Sequence, residues 1–508
     1  MSTEAAKIED HRGDIQALIG SGFASLRQCD YLLLQVTEAA LARAWIGTLL
    51  ASGCIRSLAD LGGKRPEDEE GAAGEKSEKG GKGNRLETAV ALAFSHAGLS
   101  ALGVCEAADA PFPSAFRQGM ASAARARLLG DPPDGRRTWG DVSDEAARHQ
   151  RVDLLVAHFR VPGAAAACRP LEPAVIDRAG LRIVATVSTC PSYIEEHGAP
   201  GTGGPAAFEP FGFRDGVAQP VIKGLRPSSS DHGARRWVAE RYEDRMVAAG
   251  EFVLGHDNEF GEPAHCPDAK GWQEPPRSAT PRPSFGFNGS YLAVRQIRQD
   301  APRLRQFEAS HPTPASAPTI VEKMVGRRRD GRSLVSCPYG PAELDAVRFR
   351  VDDFDGLQCP RGAHVRRANP RDMLGKDVPS GIAASKLHRL MRRGRVYCGA
   401  ERACAASTLP SCGDAAHRER CGQGLFFMAL GADLDRQFEF IQQRWIASRS
   451  FGDLRDEDDP LLGHTGTRSF SMPALPLGRR LEGLESFTEV IGGGYFFVPS
   501  LSALRFMA

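Results

Sequence analysis

The chain has 508 residues, 42% of them hydrophobic and 25% charged, with 64 Lys and Arg against 63 Asp and Glu. At roughly 100–200 residues per domain, that length predicts two or three domains with sizeable cores. A net charge of +1 removes any global argument for nucleic acid or an anionic membrane surface as a partner. No apolar run approaches the roughly 18 residues of a membrane span, so a transmembrane, collagenous or wholly disordered chain is excluded.

The N-terminal segment, residues 1–19, lacks the basic and apolar regions of a secretory signal, so a cytoplasmic location is expected. The 12 cysteines are too sparse for a disulfide scaffold. Cys398, Cys404, Cys412 and Cys421, with His417 among them, have spacings that suit no common zinc site.

In chain order, residues 31–36 read as a strand. Thr37 is placed to cap a helix in which Leu41, Trp45 and Leu49 recur every four residues. Residues 62–84 are rich in Gly, Lys and Glu and read as an insertion that cannot offset its ordering entropy. Strands follow at 87–94 and 152–159, a helix at 171–179 and a strand at 181–188. This is the β-α-β-β-α-β order of a split βαβ unit.

The second half partly echoes the first. It has a strand at 290–297, a helix at 301–309 and a strand at 424–430. A helix at 433–445 follows, with Leu434, Phe438, Ile441 and Trp445 on one face, and then a strand at 494–498. Two more insertions are expected, at about 262–284 and 400–423. The expected fold is α+β, with two ferredoxin-like (split βαβ) domains at 1–225 and 226–508.

Three segments carry chemistry. In Phe211-Gly-Phe-Arg-Asp-Gly-Val-Ala-Gln-Pro220, glycines 212 and 216 flank Asp215. Such a loop can hold one carboxylate against a flat ligand, although the spacing alone equally describes an Asp-Gly turn. In Cys359-Pro-Arg-Gly-Ala-His-Val-Arg-Arg-Ala-Asn-Pro-Arg371, His364 stands among arginines. That suits a metal-ligating imidazole beside carboxylate-binding guanidiniums, or else a basic surface turn. In Leu387-His-Arg-Leu-Met-Arg-Arg-Gly394, three arginines share a helical turn that would ordinarily face solvent.

Taken together, in this order, the segments resemble the dye-decolorizing peroxidases, in particular their larger fungal and cyanobacterial subfamily. Flanking blocks such as Met324-Val-Gly-Arg327 and Arg436-Gln-Phe-Glu-Phe-Ile441 extend the resemblance over most of the chain outside the insertions. Pro210 stands where the family usually has a histidine. The resemblance implies the dimeric α+β barrel type of ferredoxin-like fold and one haem b per chain. His364 would be the proximal iron ligand and Asp459 is a candidate for its carboxylate partner. Asp215 would move the proton of hydrogen peroxide, and Arg392 would stabilise charge as the O–O bond breaks. Gly212, Phe213, Gly216, Leu425 and Phe427 would line the haem site, and Arg366 and Arg371 would meet the propionates. The implied partners are hydrogen peroxide and aromatic electron donors, phenols and large dyes, with the chain a monomer or a homodimer. Tyr397 and Trp445 are candidates for a surface aromatic that passes electrons from dyes too large to enter.

The alternative function is a haem carrier, or a deferrochelatase-like protein without peroxidase turnover. It would keep His364 but need neither Asp215 nor Arg392, and the presence of both favours the peroxidase. A non-haem α+β interaction protein is the third reading.

Overall fold

The computed structural model describes residues 7–61, 86–105, 111–131, 151–161, 168–189, 208–225, 244–273, 283–335, 347–398, 423–463 and 468–508. The insertions expected at 62–84 and 400–423 lie outside the described residues, apart from Gln423, which opens a strand.

The first half contains β1 (Gln28–Val36), α1 (Ala39–Ala51), β2 (Thr88–Phe94), β3 (Leu154–Arg160), α2 (Pro173–Arg178) and β4 (Leu181–Ser188). The four strands lie in the order β4-β1-β3-β2, all antiparallel. Two short parallel strands follow, β5 (Val221–Ile222) and β6 (Met246–Val247). The second half opens with β7 (Ser290–Gln299), α3 (Ala301–Ala309), α4 (Ile320–Val325), α5 (His364–Ala368) and α6 (Val378–Lys386). It continues with β8 (Met391–Arg392), β9 (Arg395–Cys398) and β10 (Gln423–Gly431). The hairpin β11 (Ser469–Met472) and β12 (Arg479–Glu482), then β13 (Thr488–Val498) and α7 (Leu501–Met507), close the chain. Its strands run β13-β7-β10, with β8 and β9 both paired to β10, which is the same permutation as in the first half. This repeats the split βαβ order. The pair Phe94–Phe497 joins β2 to β13, making one nine-stranded sheet.

The sequence of β2 shows why the sheet is covered on both sides. Successive side chains alternate faces. Val90, Leu92 and Phe94 pack with Ala42, Trp45, Ile46 and Leu49 of α1. Ala89, Ala91 and Ala93 face a second apolar layer that includes Ile15, Leu18, Ile19, Phe23 and Phe252.

Several sequence expectations are corrected. Glu38, not Thr37, is the residue before α1, and its side chain makes no capping bond. The Thr37 and Glu38 amides instead donate to the Gly180 carbonyl at 2.9 and 3.0 Å, so a neighbouring turn satisfies them. Leu41 is 42% exposed, outside the buried stripe of α1. The helix expected at 433–445 is wound as π-helix over Asp435–Glu439 and Ile441–Ile446, although Leu434, Phe438, Ile441 and Trp445 are all buried as their spacing implies. The Pro-rich stretch is irregular over 262–273 yet packed. The Ala264 amide donates to His256 O, and the Trp272 ring meets Phe285 and Phe506 edge-on. Among the described residues, no helix is long and apolar enough to cross a membrane.

A buried ion pair reaches across this core. Arg295 of β7 meets Asp131 at 2.9 Å, with both side chains under 5% exposed, and its guanidinium also lies over the Phe438 ring. Removing one member of such a pair strands the other charge. Asp131→Ala is expected to lower unfolding free energy by about 3–5 kcal/mol, measured by chemical denaturation. A loss below about 1 kcal/mol would mean that the pair is solvated.

Candidate active site

The helix that carries His364 is short, so its pose depends on what clamps it. Gly326, at the end of α4, has φ +92°, and a Cβ there would lie 2.4 Å from Val365 Cγ2. Only glycine allows that approach without strain. Arg367 is fully buried and donates to the carbonyls of Gly362, Trp445, Ser448 and Glu457. It fastens α5 to the π-helical segment. Arg366, also fully buried, donates to the carbonyls of Cys359, Asp353 and Phe354 and lies over the Phe349 ring. The sequence reading offered Arg366 to a cofactor carboxylate; the structure spends it on this loop.

His364 is thereby presented with a 27% exposed side chain, and its Nδ1 lies 2.9 Å from Asp459 Oδ2. Asp459 is fully buried. Its other oxygen accepts from the amides of Leu461 and Leu462 at 2.9 and 2.8 Å. Burial alone would raise the Asp459 pKa. Contact with His364, together with Arg367 and the Leu462 amide, outweighs burial and holds it below the usual carboxylate value. The His364 Nε2 has no hydrogen-bond partner among the described residues.

Asp215 sits on a loop built around two glycines with positive φ, +86° at Gly212 and +77° at Gly216. Its Oδ1 accepts from the Gly216 amide at 2.6 Å. Phe213 is buried in the cluster under α3 and α4, with the Arg329 guanidinium 4.9 Å from its ring centre. The carbonyls that follow Asp215 are gripped by arginines. Arg392 donates to Val217 O, Arg389 to Ala218 O at 3.2 Å and Arg245 to Gln219 O at 3.1 Å. The Arg392 amide also donates to Gln219 Oε1 at 3.2 Å. The Asp215 loop and the 387–394 segment, 175 residues apart in sequence at this contact, are therefore one construction.

Around it the cations crowd. Burial first, then repulsion from Arg392, lowers Arg327 to about 10. Burial, then Arg392 and Arg245, lowers Arg389 to about 9. Arg371 is pushed well below the usual guanidinium value by burial and then by Arg327, Arg389 and Arg245. Arg392 is lowered by burial, which the nearby Asp215 charge opposes. Sequence reasoning gave no role to Arg327, Arg389 or Arg245. The first two lie inside quoted motif blocks, and that was the available signal.

On β10, Phe426 is fully buried and stacks on Tyr31 at 4.1 Å, whereas Leu425 and Phe427 are half-buried and share the opposite face with Ala429. Ala429 lies directly across from Arg392, so all three belong to that arginine's face. Tyr397 and Trp445 are not surface aromatics, being only 3% and 4% exposed. Tyr397 is on a strand that pairs with β10 and packs into the core. Trp445 is on the inner side of the π-helical segment, edge-on to His388.

Comparison with known proteins follows the same lines. No family model matches the chain. It is 28% identical over 454 residues to the dye-decolorizing peroxidase msp1 of Mycetinis scorodonius, covering 82% of this chain and 76% of that protein. It is 31% identical over 249 residues to the multifunctional dye peroxidase DyP2 of an Amycolatopsis species, covering 45% and 51%. The crystal structure of a fungal DyP-type peroxidase from Auricularia auricula-judae shares the fold, with a TM-score of 0.69 at 21% identity over 98% of this chain and 99% of that one. The chain is accordingly a peroxidase of α+β fold. In sequence and in fold it resembles the dye-decolorizing peroxidases.

Proposed function

We propose that the chain uses hydrogen peroxide to oxidise phenolic compounds and large dyes, with one haem b bound between the His364 helix and the Asp215 loop. The observation that carries this reading is the contact of half-buried His364 with buried Asp459, set in the same half of the chain as a cluster of crowded arginines. Both features fit haem. An imidazole whose Nδ1 is engaged by a buried carboxylate has its Nε2 left for iron, with raised basicity. A crowd of guanidiniums is relieved by anionic carboxylates, and Arg371 and Arg327 would meet the propionates. Residues 226–508 would then be the haem-binding domain, and 1–225 would contribute the loop.

When bound, haem supplies the redox-active iron that accepts the oxidising equivalents of peroxide. The chain's own residues do the rest. Asp459 fixes the His364 ring and its tautomer. Asp215 would take a proton from hydrogen peroxide and deliver it to the departing oxygen. Arg392, held by Val217 O and by the loop that carries Asp215, stabilises the negative charge that develops on that oxygen. Leu425 and Phe427 exclude water from that face.

The test is to load the purified protein with haem and mix it with one equivalent of peroxide in a stopped-flow spectrometer. Expected results are a Soret band at one haem per chain, rapid loss of the ferric spectrum, and its return on adding a phenol. Haem bound normally with no response to peroxide would favour the carrier, and no Soret band would sink both.

A further inference from the structure

We propose that Glu209 is a positioning residue for Asp215: its carboxylate ties the turn that leads into the loop carrying Asp215, and ties it more tightly when ionised than when protonated. This rests on the reading of Asp215 as the proton-transfer group.

The turn is closed by its own backbone. The Glu209 amide donates to Phe213 O at 2.9 Å, and the Gly212 amide donates to Glu209 O at 2.7 Å. Inside it, the Glu209 side chain folds back. Oε1 accepts from the Phe213 amide at 2.8 Å and Oε2 from the Phe211 amide at 3.1 Å. Oε2 also accepts from Gln299 Nε2, on β7, at 2.6 Å. The outer side is pinned by Arg329, which donates to Phe211 O, lies over Phe213 and pairs with Glu308 of α3 at 2.7 Å. The Arg214 amide donates to Arg329 O at 2.9 Å. Gly212 has φ +86°, which a residue with a Cβ adopts only with strain. Two residues beyond Phe213 comes Asp215.

The three groups that converge on the Glu209 oxygens are all donors. An ionised carboxylate satisfies them together. A protonated one can place its hydrogen on the free site of Oε1 and keep all three, but each bond then loses the charge that strengthens it. Burial pushes the Glu209 carboxyl up to about 7, with the Asp215 charge adding to it and the donors opposing. The charged groups on the surrounding elements are Asp215 on the same loop and Arg329 with its partner Glu308; the group facing Glu209 from β7 is the neutral Gln299. As pH rises through 7 Glu209 becomes ionised, the turn tightens and the peroxide step should quicken.

The experiment compares haem-loaded wild type, Glu209→Gln, Glu209→Asp and Asp215→Asn. Glu209→Gln has the same shape but cannot titrate, and its amide turns donors toward donors. Deuterium exchange at the amides of 208–216 should rise in Glu209→Gln. The second-order rate with peroxide should fall by roughly 10–100-fold, as expected of a small misplacement of a reacting group. The wild-type inflection near pH 7 in that rate should vanish in Glu209→Gln, while haem content and phenol KM stay the same. Glu209→Asp, which keeps a titratable carboxylate, should recover part of the rate and an inflection. Wild-type exchange, rate and pH profile in Glu209→Gln would overturn the proposal while leaving Asp215 its role, provided that Asp215→Asn is slow. A wild-type rate in Asp215→Asn would overturn both.

Discussion

His364→Ala is expected to lose at least about 90% of its haem while the protein stays folded, as judged by haem content, Soret absorbance and denaturation midpoint. The fold should survive because α5 does not depend on the imidazole. Its clamps are Arg366 and Arg367, which are buried and bonded to carbonyls on both sides, and the glycine approach at Gly326. His364 itself contributes one side-chain hydrogen bond, and Asp459 retains the Leu461 and Leu462 amides when that bond is gone. Asp459→Asn is the companion variant. It keeps the shape and removes the anionic acceptor, so haem affinity should drop by roughly 10–100-fold rather than disappear. Unchanged haem content and Soret position in His364→Ala would show that the ligand lies elsewhere.

The second large effect is on peroxide cleavage. Asp215→Asn should slow it by roughly 10²–10⁴-fold, the range of a positioned proton-transfer group. Arg392→Leu should slow it by roughly 10²–10³-fold, through lost stabilisation of developing charge. Arg392 has a further task, since its guanidinium is bonded to Val217 O and its amide to Gln219, within four residues of Asp215. Leucine keeps only the amide contact, so the loop should loosen as well. The two losses should therefore combine to less than their product, because the second substitution removes what the first has already disturbed. Single-turnover stopped-flow on both singles and the double measures this. A double variant as fast as wild type would refute the assignment.

The split βαβ order was legible in the first half, where strand and helix periods alternate cleanly; in the second half three strands were legible, whereas β8 and β9, at 391–398, begin in a segment whose arginines read as a helical turn. Local detail was less legible. The π winding at 435–446 leaves the same apolar positions buried as an α-helix would, so the hydrophobic pattern does not distinguish the two. Arg366 was offered to a propionate on the resemblance, whereas its guanidinium is bonded to the carbonyls of Cys359, Asp353 and Phe354. Two residues along a helix is a rotation of roughly 200°, so Arg366 faces away from the His364 side. Asp459 is 95 residues from His364, and no spacing rule connects them. The arginine crowd arises from elements that lie far apart in the chain and meet only on folding. No local window contains it.

The last helix bears on how the protein is made. Ala503, Leu504 and Met507 of α7 are completely buried in the layer shared with α1, and Arg43 of α1 donates to Phe506 O. Asp14 caps the start of α7 through the Ser502 amide at 2.8 Å, and Gln16 donates to Pro499 O at 2.8 Å. The first half of the chain thus cannot finish its own interior until residues near 507 have left the ribosome. Domains that mature in order of synthesis escape this wait. Here the nascent N-terminal strands wait for residues 499–507 before their layer is complete, and a premature stop anywhere before Leu501 leaves both halves unfinished at once.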